Sequence, residues 1–183
     1  MTVIIDGTTG ITNNSGTLIS ASTVGVGGTT PAASGAGITF PATQSASTDA
    51  NTLDDYEEGT WTPSYLGLTS AGTTTYGVNK GIYVKVGQMI TVTGVMTWTA
   101  ATGTGGAALG GLPFVINNSN GESDGSVWIG TESGYTMTGQ LGAFLIRAGT
   151  TATLQVYNNG SASAANVING SVALRFAFSY RSN

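Results

Sequence analysis

Apolar and polar residues alternate with a period of two along the second half of the chain. From residue 90 to residue 99, Ile90, Val92, Met96 and Trp98 occupy even positions, and threonine fills most odd ones. Residues 171–181 repeat the pattern with an apolar or aromatic residue at every even position. This period predicts two β-strands, each with one apolar face and one solvated face. Because a slip of one residue would expose every apolar side chain, we expect the strand register to be well specified.

Shorter stretches of the same character predict further strands at residues 82–86, 127–130, 140–147 and 151–157. Glycine- and asparagine-rich turn signals separate them, among them Val86-Gly87-Gln88 and Asn169-Gly170. No window shows a convincing helical period. The predicted fold is therefore all-β, an antiparallel β-sandwich resembling a jelly roll.

Residues 1–48 differ from this pattern. Up to residue 37 they contain no aromatic residue and only one charged residue, Asp6, and the sequence is rich in Gly, Thr, Ala and Ser. Ordering such a segment costs roughly 1–2 kcal/mol per residue of backbone entropy, which only contacts with other chains can offset. We predict an extended arm for attachment and assembly, whose short apolar fragments contain Val3, Ile4, Ile5, Leu18, Ile19, Ile38 and Phe40.

An acidic hinge at residues 49–60 is predicted to join the arm to a β-domain at residues 61–183. It holds five of the nine acidic residues, including Asp54, Asp55, Glu57 and Glu58. Carboxylates suit calcium, but the segment lacks the alternating ligands and central glycine of an EF-hand loop. We favour a solvated hinge, or an acidic patch that pairs with Lys or Arg residues of a partner protein, and we expect no bound metal.

Charged residues are few in this chain, and this argues against some classes of function. Charged residues make up 8% of the 183 positions, against roughly 25% in ordinary globular chains. Neutral Thr, Ser and Asn supply solubility instead, and the many β-branched and aromatic residues argue against disorder. The net charge is −4, and the five Lys and Arg residues are scattered. We therefore expect no nucleic-acid partner.

Catalytic chemistry has few candidates in this chain. It contains no Cys and no His, which removes disulfides, thiol nucleophiles and the usual general base. Glu122, Asp124 and Glu132 are close enough in sequence to suggest paired carboxylates for glycoside hydrolysis. The neighbouring Asn120-Gly121 and Gly125 make a polar turn the better interpretation. We expect a protein that is not an enzyme and that has no cofactor.

Four aromatic residues are candidates for stacking on sugars. Three of them are the tryptophans Trp61, Trp98 and Trp128, of which Trp98 lies on the apolar side of an alternating strand, a position that favours core packing. Trp128 stands between Val127 and Ile129 and is expected to be exposed or at a subunit interface. Tyr135 follows a glycine in a predicted loop. Core or interface packing is favoured in general, and Trp128 and Tyr135 are the predicted partner or receptor contacts.

Three phrases and the opening segment resemble virion proteins of tailed bacteriophages, tail fibres in particular. The phrases are LDDYEEGTWTP at 53–63, GIYVKVG at 81–87 and GGLPF at 110–114, and the opening segment is IDGTTGI at 5–11. In tail-fibre proteins the acidic phrase introduces a C-terminal β-domain. The order and spacing of the phrases are similar here, whereas tail fibres are commonly much longer and have a shaft.

The resemblance implies a structural protein on the particle surface, either tail-fibre-like or capsid-decorating (a cement protein). It further implies a homotrimer whose arm contacts other virion proteins of the capsid or tail and whose domain contacts a host surface glycan. Neither a signal peptide nor an apolar run of membrane length is visible. We therefore expect synthesis in the host bacterial cytoplasm, localisation in the virion and no membrane insertion. The alternatives are a polysaccharide depolymerase and a free carbohydrate-binding module.

Overall fold

The fold is taken from a computed structural model. The structure describes residues 23–44, 47–49, 51–117, 126–134, 140–145, 149–158, 161–164 and 170–182. The chain divides into two units, residues 1–48 and 49–183, and each is described by itself. The predicted arm contacts Val3, Ile4, Ile5, Leu18 and Ile19 lie outside the described residues.

The first unit contains a short parallel strand pair. Strand β1 (Thr23–Gly25) pairs with β2 (Gly37–Thr39), so that Val24 lies opposite Ile38. The loop between them is tied back by side chains, because the Thr23 hydroxyl donates to the carbonyl of Ala32 at 2.8 Å and the Ala32 amide donates to Thr39 Oγ1 at 3.0 Å. Ile38 is exposed and Phe40 is half-buried.

The second unit is a ten-stranded sheet in which all strand pairs are antiparallel. Its strands are β3 (Tyr56–Trp61), β4 (Ser64–Gly67), β5 (Thr74–Val86), β6 (Met89–Ala101), β7 (Ala107–Gly110), β8 (Ser126–Ser133), β9 (Gln140–Leu145), β10 (Ala152–Asn158), β11 (Ser161–Ala164) and β12 (Val172–Arg181). Their order is β3-β5-β6-β12-β8-β9-β10-β7-β4, with β11 on β10. The described residues contain no helix, so the all-β prediction is confirmed. Within them, no helix is long and apolar enough to span a membrane.

Strands β6 and β12 supply the core as their period of two predicts. Residues 89–98 of β6 pair with the whole of β12, with Trp98 opposite Val172 and Ile90 opposite Tyr180. The even-numbered apolar residues of both strands are buried, Trp98 to 1% exposure, whereas most odd-numbered residues are exposed or half-buried. Burying one apolar face of each strand is the main source of stability for such a sheet.

The hairpin β5–β6 is longer than the sequence predicts. Residues 82–86 were the predicted strand, and β5 begins eight residues earlier at Thr74. The added part is rich in Thr, Gly and Asn and lacks alternation, yet it pairs with β6 through two register shifts near Tyr76. The predicted turn is present, with Gly87 at a φ of +55°, a backbone angle that favours glycine.

Strand β4 packs across the core from β6, although the two strands lie far apart in the strand order. The ring of Tyr65 stacks on that of Trp98 with centroids 4.1 Å apart and planes at 24°. The amide of Tyr65 donates to the hydroxyl of Tyr76 at 2.5 Å. Two distant parts of one sheet therefore enclose a common core, and Trp98 is a core residue as predicted.

Candidate functional site

The acidic hinge runs into strand β3, which pairs with β5. Its residues 56–60 belong to this strand, whereas the prediction kept them in a hinge. The register places Tyr56 opposite Val86 and Trp61 opposite Gly81. Side chains alternate along the strand, so that Asp55 and Trp61 are buried while Tyr56 and Glu58 are exposed. The acidic phrase is thus partly a strand with an inner and an outer face.

Asp55 forms a buried ion pair with Lys85 of β5. The Lys85 ammonium donates to Asp55 Oδ2, and the two side chains are only 6% and 7% exposed. The Asp55 carbonyl also accepts the Gly87 amide at 2.9 Å. This differs from the predicted solvated hinge, because a carboxylate held in the sheet beside a lysine is shielded from water. Its charge partner lies within the same domain.

Glu57 and Tyr83 form the next contact between the same two strands. The Tyr83 hydroxyl donates to Glu57 Oε1. This hydrogen bond, together with burial and the Glu57 charge, raises the pKa of Tyr83 to about 12. Gly59 lies against the same ring, because a Cβ there would approach the Tyr83 hydroxyl to 2.8 Å. A larger residue at position 59 would displace Tyr83.

The two remaining predicted acids are arranged differently. On the outer face, the Tyr56 hydroxyl donates to Glu58 Oε2 at 3.0 Å, and this bond raises the pKa of Tyr56. Asp54 is half-buried near the Gly87 turn. Within the part of the chain that the structure describes, no group of three or more His, Cys, Asp or Glu residues is arranged to hold a metal.

Phe114 of the GGLPF phrase contacts the same two β5 residues. Its ring meets Tyr83 edge-on at 5.3 Å and lies 5.6 Å from the Lys85 ammonium, a cation–π contact. Its amide and carbonyl hydrogen-bond to the Tyr180 hydroxyl at 3.2 and 3.1 Å. Burial raises the pKa of Tyr180 to about 12. Residues from all three phrases therefore meet in one cluster: Asp55, Glu57, Tyr83, Lys85 and Phe114, closed by Tyr180 of β12.

A groove of about 630 Å³ lies where β3, β5, β6 and β12 run side by side. One register row crosses it, from Trp61 through Gly81 and Gly94 to Phe176. Neither glycine can be replaced without displacing a ring. A Cβ at position 81 would lie 2.1 Å from Trp61 Nε1, and one at position 94 would lie 2.4 Å from Phe176 Cζ.

The next register row places two cations beside this groove. Lys80 of β5 and Arg175 of β12 both pair with Val95 of β6, one from each side. Both are exposed and both line the groove. Threonines 60, 62 and 93 also line it. The groove therefore combines two positive charges with several neutral hydrogen-bonding groups.

Trp61 lies at the end of β3, the strand that also carries Glu57, and it lines the groove. Its ring meets Phe176 edge-on at 5.8 Å, and it belongs to the buried core. Its indole Nε1 is the one buried side-chain polar atom without a hydrogen-bond partner in the described residues. Trp61, a candidate for either core packing or sugar stacking, is thus a core residue that also lines the groove.

The outward face of the β5–β6 hairpin exposes an apolar strip near its turn. Val84, Val86, Met89 and Tyr56 form it, with Val86 paired to both Tyr56 and Met89. Ile82, which is 60% exposed, continues the same face to the groove. We define the apolar strip as Tyr56, Val84, Val86 and Met89.

Of the two predicted receptor contacts, the structure describes only the backbone of Trp128. The backbone of Trp128 pairs with Ala177 and Gly142 in the sheet. Tyr135 lies outside the described residues, as do Glu122 and Asp124, whereas the backbone of Glu132 belongs to β8. Sequence reasoning missed the groove because its glycines and cations come from separate strands. One local signal of the groove was available in the sequence: Lys80 directly precedes the GIYVKVG phrase at 81–87, which was predicted to contain a strand.

Comparison with protein-family models finds no match to this chain. Comparisons with curated proteins and with solved structures find no match either.

Proposed function

We propose that the chain is a non-enzymatic structural protein of a tailed-phage virion, displayed on the particle surface as a tail-fibre-like or capsid-decorating oligomer. The observation that carries the proposal is the convergence of the three phrases that resemble virion proteins. Asp55 and Glu57 of the first contact Lys85 and Tyr83 of the second, and Phe114 of the third contacts both β5 residues. Because the three phrases contact one another, we interpret their resemblance to virion proteins as that of one structural unit. Three unrelated chance matches would not be expected to meet in one cluster.

For the domain we propose a jelly-roll-like β-sandwich. Its support is the packing of β4 and β7, at one end of the strand order, against β6 and β12 near the other end of the same sheet. Tyr65 and Leu109 belong to the same buried cluster as Trp98 and Leu174. Facing layers of a β-sandwich share a core in this manner.

For assembly we propose a homotrimer in which the apolar strip contacts a second copy. Soluble monomers rarely expose large contiguous apolar patches, and such patches often mark protein contacts. Charged residues are sparse throughout the chain, and interface centres are likewise depleted of charge. The arm at residues 1–48 is proposed to anchor the protein to capsid or tail proteins.

Immunogold electron microscopy of the source virions tests the proposal, with an antibody raised against residues 61–183. Gold spread over the head supports decoration, and gold confined to the tail supports the fibre role. Virions without gold, in a preparation where the same antibody detects the purified chain, would refute a virion location. Antibody absorbed beforehand with purified chain is the control for non-specific labelling.

A further inference from the structure

We infer that Lys85 and Asp55 condense to an amide cross-link between β5 and the residue before β3, and that their buried ion pair is the state that precedes this reaction. Three properties of the pair support the cross-link: its burial, its place in the strand register and a second carboxylate beside it. All three belong to the folded domain and are independent of where the protein acts.

Burial favours a neutral product at this position. Both side chains are more than nine-tenths buried, and the ring of Phe114 lies 5.6 Å from the Lys85 ammonium. Two ions taken out of water lose most of their solvation, and their mutual attraction often replaces it only in part. An amide carries no charge, so condensation removes this penalty. The same burial keeps out the water that would hydrolyse the product.

The register holds the two reacting groups together. Glu57 lies directly opposite Lys85, which places Asp55 one alternation further along the same face. The Asp55 carbonyl accepts the Gly87 amide at 2.9 Å, so the backbone is fixed on both sides of the pair. Groups that a fold holds in contact can react as if at effective concentrations of about 10⁵–10⁸ M.

Glu57 is the proton carrier for the reaction. In a directly opposite pair the two Cβ atoms are about 5 Å apart, so the Glu57 carboxylate can reach the Lys85 amine directly or through one water. The Tyr83 hydroxyl donates to Glu57 Oε1. Because the pKa of Tyr83 is raised to about 12, this hydroxyl stays protonated at neutral pH and orients the carboxylate.

The atoms and electrons balance without an oxidant or a reductant. One proton moves from Lys85 Nζ to Asp55 Oδ2, which gives a neutral amine and a neutral carboxyl group. The amine lone pair forms the bond to Asp55 Cγ, and Glu57 accepts a second proton from the nitrogen. Glu57 returns that proton to the hydroxyl as the C–O bond breaks, and one water leaves. The product is a secondary amide between residues thirty positions apart in the chain.

Intact-mass spectrometry of the full chain, folded first and denatured for the measurement, tests the cross-link. The mass is expected to be about 18 Da below that of the sequence, the mass of one water. Trypsin is expected to leave residues 1–80 joined to residues 81–147, because it does not cleave after a lysine held in an amide. Fragmentation of this branched peptide should place the bond at Asp55 and Lys85. A full sequence mass with separate peptides would overturn the inference.

Two arginine variants test which lysine reacts. Lys85→Arg keeps the positive charge but removes the reactive amine, and it should have its full sequence mass. Lys80→Arg makes the same change at an exposed position of β5 and should keep the loss of one water. A loss that persists in Lys85→Arg, or that disappears in Lys80→Arg, would refute the assignment to Lys85. The branched peptide of the parent chain gives the result even where Lys85→Arg fails to fold.

A time course of intact mass after cell-free synthesis tests the proton carrier. Glu57→Gln keeps an oxygen that accepts the Tyr83 hydroxyl but cannot carry the proton, and it should slow the loss of water roughly tenfold or more. Glu58→Gln makes the same change on the outer face, where Glu58 bonds to Tyr56, and should leave the rate unchanged. A parent rate in Glu57→Gln, or equal slowing by Glu58→Gln, would refute the role of Glu57.

Discussion

Lys85 donates a hydrogen bond to Asp55, a residue thirty positions earlier in the chain, and both side chains are buried. This contact fixes how β3 meets β5, because a slip of one residue would turn Asp55 toward solvent and leave Lys85 buried without a counter-charge. The neighbouring contacts, Glu57 with Tyr83 and Trp61 with Gly81, follow the same register. The acidic phrase therefore has a structural role within its own domain.

Replacing Lys85 with Met is expected to lower the free energy of unfolding by about 3–5 kcal/mol, because Asp55 remains as a buried, uncompensated charge. The double variant Lys85→Met with Asp55→Leu is expected to recover much of the loss. Urea unfolding followed by fluorescence measures both. Lys80→Met, at an exposed position of the same strand, is the control and should change stability by about 0.5 kcal/mol or less. A double variant no more stable than the single one would contradict the assigned pairing.

Gly81→Ala is expected to destabilise the domain by about 1–3 kcal/mol, the usual range for overpacking. Its Cβ would lie 2.1 Å from Trp61 Nε1, so the indole must move. Gly77→Ala on the same strand is the matched control, because its Cβ meets chiefly the Thr97 hydroxyl. Thermal unfolding compares the two. Adding Trp61→Phe should reduce the cost of Gly81→Ala, and strict additivity of the two changes would argue against their contact.

The folded state should lose stability in alkali between pH 10 and pH 12. Burial raises the pKa of Tyr180 to about 12 from an ordinary value of 10. The neutral hydroxyl is therefore favoured in the folded state. Its contribution is fully present below pH 10 and is lost as pH rises toward 12, by up to about 2 kcal/mol.

Urea unfolding at intervals from pH 8 to pH 12 measures this loss. Tyr180→Phe should be less stable at neutral pH, since it loses the bonds to Phe114, and should show a shallower decline in alkali. Tyr56→Phe, at an exposed position, is the comparison. A decline equally steep in Tyr180→Phe and the parent chain would exclude Tyr180 as a source.

Val86→Glu is expected to weaken self-association, because it places a charge in the centre of the apolar strip. Light scattering after size exclusion should show a smaller mean mass than for the parent chain at equal concentration. Thr99→Glu adds the same charge at an exposed position near the other end of β6 and should leave the mass unchanged. A parent chain that is already monomeric at high micromolar concentration, or an unchanged mass for Val86→Glu, would contradict the proposed contact.

The acidic segment shows where sequence reasoning stopped short. Its composition indicates a hinge, since carboxylates are normally solvated. The alternation of Asp55, Glu57 and Trp61 on one side becomes informative only when β5 lies alongside and supplies Lys85, Tyr83 and Gly81. Short β4 and β7 were missed for a related reason, because four residues carry too little periodicity to distinguish a strand from a loop.

The all-β class, the strands β6 and β12 and their buried faces can be read from the amino-acid sequence, because a period of two specifies an amphipathic strand locally. The turn at Gly87 was likewise local. The folded chain is needed to show which strands are neighbours, and hence that Asp55 contacts Lys85 and that Lys80 and Arg175 border one groove. Such pairs join residues tens of positions apart, and their contacts depend on register across several strands, which no local pattern encodes.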